Sequence, residues 1–244
     1  MKELVEKLNY CKLAGMAKGF DRIYKESVDN NLTGLEFFEA LLDEEVINRE
    51  NNRFNRLFKR AKFPVIKTID QFNFTKAPFL RKGEMLQLFN LDFITENQNL
   101  IFIGSPGTGK THLSISLGME ACKQGKSVSF YTAAGLGNLL IEMEETLALS
   151  KFLEKLRKVD LLIIDELGYV SLSNKTTQLL FQIFSERYER GSIIVNTNLE
   201  FSLWGNIFHD EVMTAAIIDR LIHNSNITIF NGQSYRFESR QAIL

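Results

Sequence analysis

With 244 residues, 45% of them hydrophobic and 24% charged, and a formal net charge of −1, the chain has the make-up of a water-soluble protein with a substantial core. Cys11 and Cys122 lie far apart and outside any C-x-x-C pair, and His112, His209 and His223 show no metal-ligand spacing, which argues against a disulfide scaffold or a zinc site. No apolar run reaches the roughly 18 residues of a membrane-spanning helix, and MKELVEKLNY lacks the apolar centre of a signal peptide, so the expectation is a cytoplasmic protein with no membrane partner.

Residues 1–63 read as helical. Met1 to Ala14 is a short amphipathic segment, and GFDRIYKESV continues the helical period. Thr33 followed by Glu36 fits a capping box, and the run from Leu35 through LEFFEALLDEEVINRENNRFNRLFKRAKF predicts one long helix closed by Pro64. On it Arg49, Arg53, Arg56 and Arg60 recur at the spacing of one face. Between Ile47 and Lys82 ten Lys/Arg stand against two acids, Glu50 and Asp70. Such a block either contacts anions or is a solvated or partner-docking face. Residues 64–98 read as a connector followed by a helix through MLQLFNLDFI. The expected organisation is therefore a small all-α N-terminal domain over 1–66, a connector over 67–98 and an α/β domain over 99–244.

From Asn99 the texture changes. NLIFIG, SVSFY, DLLIID and SIIVNT are short apolar runs rich in β-branched and aromatic residues, separated by helical segments, which predicts a parallel sheet covered on both faces. Ligand sites of such sheets lie at the carboxyl ends of the strands. In the tail ITIFNGQSYRF, two strand-like runs flank Asn231-Gly232, which predicts a type I′ hairpin.

NLIFIGSPGTGKTHL carries G-x-x-x-x-G-K-T at Gly104–Thr111 between a buried strand and an amphipathic helix, the context a phosphate-binding loop requires. Gly104, Ser105, Pro106, Gly107, Thr108, Gly109, Lys110, Thr111 and His112 form the expected nucleotide cradle. The glycines let successive backbone N–H groups face an anion, the helix N-terminus adds positive potential, Lys110 reaches the terminal phosphates and Thr111 ligates Mg²⁺. In LLIIDE, Asp165 stands where a Mg²⁺-holding carboxylate is needed, and Glu166 can orient an attacking water; the bland alternative is an acidic turn. Asn198, after SIIVNT, is either a water-positioning amide or part of a polar strand end. Arg220, in AAIIDRL, is either a charge-neutralising arginine supplied to a neighbouring subunit or half of a surface ion pair. NKTT at Asn174 lacks the aspartate of a guanine-reading motif, so the expected nucleotide is ATP.

These elements, in this order, resemble an ATPase of the AAA+ class, a P-loop NTPase fold. GSPGTGKTHL, DLLIIDELGY, TNLEFSLWGNIF, DEVMTAAIIDRLIHNS and NGQSYRF resemble the IstB-like transposition helper ATPases, relatives of the DnaC-like helicase loaders. GMAKGF and RENNRFNRLFKRAKFP resemble that family's helical N-terminal region. The resemblance implies ATP and Mg²⁺ as cofactors and hydrolysis to ADP and phosphate. It also implies self-assembly on double-stranded DNA and assistance to a transposase in target-site selection, or, in the alternative, loading of a replicative helicase. It makes Lys110, Glu166, Asn198 and Arg220 the catalytic set, with Asn198 as sensor and Arg220 as arginine finger, and it includes Arg236 without a role. An arginine acting in trans requires head-to-tail contacts, hence a ring or a helical filament. The arginines Arg49, Arg53, Arg56 and Arg60 become the DNA contacts. A metabolic kinase would not need Glu166, Asn198 and Arg220 in this order, and the intact Lys110, Asp165 and Glu166 argue against a catalytically silent nucleotide-gated module.

Overall fold

The computed structural model describes residues 2–235, so Arg236 lies outside the described residues. The chain divides into two compact units, 1–56 and 57–244. The first is built from α1 (Lys2–Tyr10), α2 (Ala14–Asp29) and most of α3 (Gly34–Ala61). The capping box starts α3 as expected: Glu36 N donates to Thr33 Oγ1 at 3.3 Å and Thr33 N to Glu36 Oε2 at 2.7 Å. Met16, Phe20, Ile23 and Leu41 form the core of this unit, with Phe37 packed edge-on against Phe20 and Tyr24. One carboxylate is buried here. Glu45 accepts from the Gly15 and Met16 backbone N–H groups at the start of α2, at 2.6 and 3.3 Å, and from Arg49 Nε at 2.7 Å. The Arg49 guanidinium holds the Glu45 carboxyl below its ordinary range, aided by the two N–H donors and opposed by desolvation.

In the second unit, short helices α4 (Lys82–Gln87) and α5 (Asp92–Thr95) replace the single helix expected over MLQLFNLDFI. Leu91, at φ +64°, breaks the helical path between them while its side chain is fully buried, so core packing overrides local propensity. Among the described residues five strands follow: β1 (Asn99–Gly104), β2 (Val128–Thr132), β3 (Leu161–Leu167), β4 (Ser192–Thr197) and β5 (Ser225–Phe230), in spatial order β2-β3-β4-β1-β5 and all parallel. The crossovers are α6 (Lys110–Lys123), α7 (Ala133–Glu145), α8 (Leu149–Arg157), α9 (Asn174–Arg187), α10 (Gly205–Phe208) and α11 (Glu211–Ile222).

The inner strands are continuous apolar runs because both faces are covered. Ile101, Leu162, Ile164, Ile193 and Val195 join α7, α8, α9 and α11 in one cluster. Residues of opposite parity face α6, where Ile163 lies against Gly118. At the sheet's lower end the buried Arg187 donates to the carbonyls of Leu156, Val159, Asp160 and Ser192 at 2.6–3.3 Å, tying α8 to the starts of β3 and β4. Burial lowers its pKa to about 10.

The expected hairpin at Asn231-Gly232 does not form. Neither residue has the positive φ a type I′ turn needs. The strand before it pairs parallel with β1, and Gln233–Tyr235 is not a strand. The chain turns instead toward the loop after β1, where Tyr235 N donates to Gly107 O at 3.0 Å. The remainder of the second run lies outside the described residues.

Candidate functional site

The loop from Gly104 to Gly109 joins β1 to α6 at the carboxyl edge of the sheet. Gly107 and Gly109 have φ of +80° and +104°, a region closed to most side chains, so this path requires glycine. A Cβ on Gly109 would also come within 2.7 Å of the Phe72 ring. Lys110, the first residue of α6, is 6% exposed, and its Nζ donates to the carbonyls of Gly104 and Ser105 at 2.5 and 2.8 Å. The loop thus holds its own lysine at the helix N-terminus, where backbone N–H groups and helix dipole favour an anion.

Two strands complete the site. The Thr111 hydroxyl lies 3.1 and 3.0 Å from the two carboxylate oxygens of the buried Asp165. Asp165 and Glu166 sit at a β-bulge. Register runs from Ile164↔Val195 to Leu167↔Thr197, so three steps on β3 match two on β4. In a regular strand neighbouring side chains point to opposite faces. The extra residue brings both carboxylates into one cavity, at the cost of a left-handed backbone at Glu166, φ +60°. That cavity has a volume of about 480 Å³ and is lined on the loop side by Pro106–His112.

Across from the loop stands the segment before β1. His112 Nε2 is 2.8 Å from Thr68 O, and Ser116 Oγ donates to Lys67 O at 3.0 Å. A carbonyl only accepts, so the ring proton sits on Nε2. Burial lowers the His112 pKa, and the nearby Lys67 adds to this against the Thr68 hydrogen bond. Phe72 packs edge-on against the His112 ring at 5.3 Å, and Lys76 Nζ stands 4.8 Å over the Tyr235 ring. Lys67, Phe72, Lys76 and Tyr235 therefore wall the cavity with two cations and two aromatic rings.

The sequence-predicted residues separate into groups. Lys110, Thr111, His112, Asp165 and Glu166 meet in the cavity, while Gly104 and Ser105 supply carbonyls to Lys110. Asn198 is half-buried just past β4 and does not line the cavity; its Oδ1 lies against Gly168 and has no hydrogen-bond partner among the described residues. Arg220 lies on α11 with its guanidinium 4.7 Å from the Phe181 ring centre and Nη1 donating to Ala216 O at 2.9 Å. No arginine is among the described residues lining the cavity. Arg49, Arg53, Arg56 and Arg60 are all exposed on α3, with Arg49 engaged by Glu45.

Sequence reasoning missed Asn196. It is 1% exposed inside β4, its Nδ2 donates to Asp165 Oδ1 at 2.9 Å, and its Oδ1 accepts from Ser114 Oγ of α6 at 2.8 Å. The available signal was a lone amide directly after the apolar run Ile193–Val195. Phe72 and Lys76, far from the loop in sequence, offered no local signal.

Hard oxygen donors converging from Thr111 and Asp165 fit Mg²⁺, which takes few protein ligands and completes its shell with water and phosphate oxygens. Clusters of three or more His, Cys, Asp or Glu able to hold a metal without such help are absent among the described residues. Also among the described residues, no helix is long and apolar enough to cross a membrane.

The family model described as IstB-like ATP binding protein matches residues 6–242. The ATP-binding protein of insertion sequence IS5376 from Geobacillus stearothermophilus is 37% identical over 99% of this chain and 96% of its own length. That of IS232 from Bacillus thuringiensis subsp. berliner is 34% identical over 97% and 94%. Among solved structures, AMPPCP-bound DnaA from Aquifex aeolicus matches with a TM-score of 0.57 at 22% identity, covering 72% of this chain and 54% of that one. That likeness is one of fold.

Proposed function

We propose, for a chain that belongs to the IstB-like ATP-binding family and is an AAA+ P-loop ATPase, that it binds ATP with Mg²⁺, assembles head-to-tail on duplex DNA and assists a transposase in choosing its target. The observation that carries the chemistry is the meeting of Lys110, the Thr111–Asp165 pair and Glu166 in one cavity. The loop's N–H groups and Lys110 hold the phosphates. Thr111 and Asp165 hold Mg²⁺, which neutralises charge on the phosphate oxygens when bound. Glu166 orients water and takes its proton as the water oxygen bonds to the γ-phosphorus; the bond from that phosphorus to the β–γ bridging oxygen breaks, and ADP and phosphate leave.

The spreading charge of that transition state favours a cation beyond the cavity's own Lys67, Lys76 and Lys110, and the cavity's described lining includes no arginine. Arg220, set apart from its own chain's cavity, is suited to serve a neighbour's. Asn198 stands outside the described lining of the cavity, so a sensor role for it rests on the resemblance to the family and would require its side chain to move toward a bound nucleotide. For DNA, exposed Arg53, Arg56 and Arg60 supply a phosphate-following face that positions without reading sequence. That the relatives are proteins of insertion sequences supports the transposition setting.

Sedimentation with labelled duplex or single-stranded DNA, with and without a non-hydrolysable ATP analogue, tests this reading. The expected result is a large complex on duplex that forms only with the analogue. A preference for single strands would replace the proposal with loading of a replicative helicase.

A further inference from the structure

β4 lies between β1 and β3 in the sheet, so the strand that leads into the phosphate loop and the strand that carries Asp165 are not paired with each other. Whatever aligns them must come through β4 or across it. Thr111 reaches across it from α6. Through β4 the connection is Asn196, whose amide joins Ser114 on α6 to Asp165 on β3. Parity places Asn196 on the α6 side of the sheet, since Ile193 and Val195 belong to the cluster on the other side.

The amide's orientation follows from its partners. A carboxylate oxygen only accepts, so Nδ2 faces Asp165; Oδ1 then faces Ser114, whose hydroxyl proton is shared between Asn196 Oδ1 at 2.8 Å and Lys110 O at 3.0 Å. Each group in the chain Ser114–Asn196–Asp165 is used in one sense only. All three are buried, at 0%, 1% and 5% exposure, where a missing partner leaves an unpaired polar atom and cannot be replaced cheaply by water. A packing role alone would be served by a valine or isoleucine like those preceding Asn196.

We infer that Asn196 is the positioning residue of the metal site: it holds the Asp165 carboxylate at the setting in which it and Thr111 together accept Mg²⁺, and Ser114 holds Asn196 in turn. Outer partners of metal ligands act by fixing the direction of the ligand, and their loss costs about 10–100-fold in metal affinity. The inference rests on the ATP–Mg²⁺ reading above. It also separates the two asparagines of this strand end: Asn196 reaches the metal-site carboxylate, whereas Asn198 lies against Gly168.

The test is binding of a fluorescent ATP analogue to the full chain, in EDTA and across a Mg²⁺ titration, for wild type, Asn196→Leu and Ser114→Ala. In EDTA the three should bind alike, within about twofold, because the phosphate loop and the Lys110 side chain are untouched, Ser114→Ala removing only a hydroxyl that also donates to the Lys110 carbonyl within α6 at 3.0 Å. The Mg²⁺ concentration giving half of the metal-dependent gain should rise about tenfold or more in Asn196→Leu, with a smaller rise in the same direction for Ser114→Ala. A merely structural defect would weaken binding equally with and without metal. If Asn196→Leu does not fold, Ser114→Ala alone decides. Wild-type Mg²⁺ dependence in every variant that folds would overturn the inference and leave the ATP–Mg²⁺ reading standing. Absence of any metal-dependent gain in the wild type would overturn that reading and the inference with it.

Discussion

Glu166 is where the sheet gives up regularity for chemistry, and substitutions there separate the two. Its φ of +60° lies in the left-handed region, which costs a residue with a Cβ about 1–2 kcal/mol and glycine nothing. Glycine loses more freedom on folding, an offset of about 0.4–1 kcal/mol. Glu166→Gly should therefore be more stable than Glu166→Ala by about 0.5–1 kcal/mol, the reverse of the usual order within strands. For a chain of this size that is a difference of about 1–4 °C in Tm. Denaturant midpoints at equal m-values give the same comparison with less extrapolation. Both variants lack the carboxylate, so the difference isolates the backbone.

Glu166→Gln completes the set, since it keeps the shape and the left-handed cost but cannot take a proton. Phosphate release should fall about 10²–10⁴-fold while the ATP analogue binds as in wild type. If Glu166→Ala proves as stable as Glu166→Gly, the bulge does not carry the strain assigned to it. If Glu166→Gln hydrolyses ATP normally, the general base lies elsewhere.

Arg187→Met should lower stability by about 3 kcal/mol or more, because three buried carbonyls and one part-buried carbonyl lose their donor; a urea midpoint unchanged from wild type would contradict this. The Glu45 carboxyl has a folded pKa below its ordinary 4.5, so its contribution to stability is present above 4.5 and is lost as pH falls through the folded value. Glu45→Gln should thus be less stable than wild type at neutral pH and approach it in acid, and a gap that persists at the lowest pH would refute the linkage. Arg220→Ala should lose about 10³-fold or more in phosphate release, and mixing it with Glu166→Gln should restore turnover, because each variant supplies what the other lacks; no recovery would exclude a finger acting in trans. Arg53→Glu with Arg56→Glu should weaken duplex binding and flatten its salt dependence, whereas an unchanged salt slope would remove the stripe from the DNA surface. Arg49 is left out of that pair because its loss would also disturb the buried Glu45.

What was legible in the sequence was local. The capping box at Thr33 and the unbroken helical period to Ala61 gave α3 almost to the residue, and the apolar runs gave four of the five strands of a buried parallel sheet. The phosphate loop was legible because its spacing is dictated by backbone geometry around an anion, with no help from the rest of the fold. Failures began where distant residues decide. Asn231-Gly232 has the composition of a hairpin turn, but the chain after β5 is drawn to the phosphate loop, where Tyr235 N donates to Gly107 O, and not back along the free edge of β5. MLQLFNLDFI has the period of one helix, but burying Leu91 requires a break there.

The site follows the same division. Asp165 and Glu166 were identified from their place after an apolar run, yet adjacent strand residues should diverge, and only the bulge, set by the register of β3 against β4, explains how both face one cavity. Thr68 and Lys67 meet α6 across 44 and 49 residues of sequence, a separation that no spacing rule covers. Asn196 lies between these cases. An amide inside SIIVNT was visible, and its burial implied a polar partner; which partner could be known only once β4 was found between β1 and β3. The strand order therefore accounts for a residue type that the strand's own composition disfavours, and it makes Asn196 the position where sheet topology and metal chemistry constrain the same side chain.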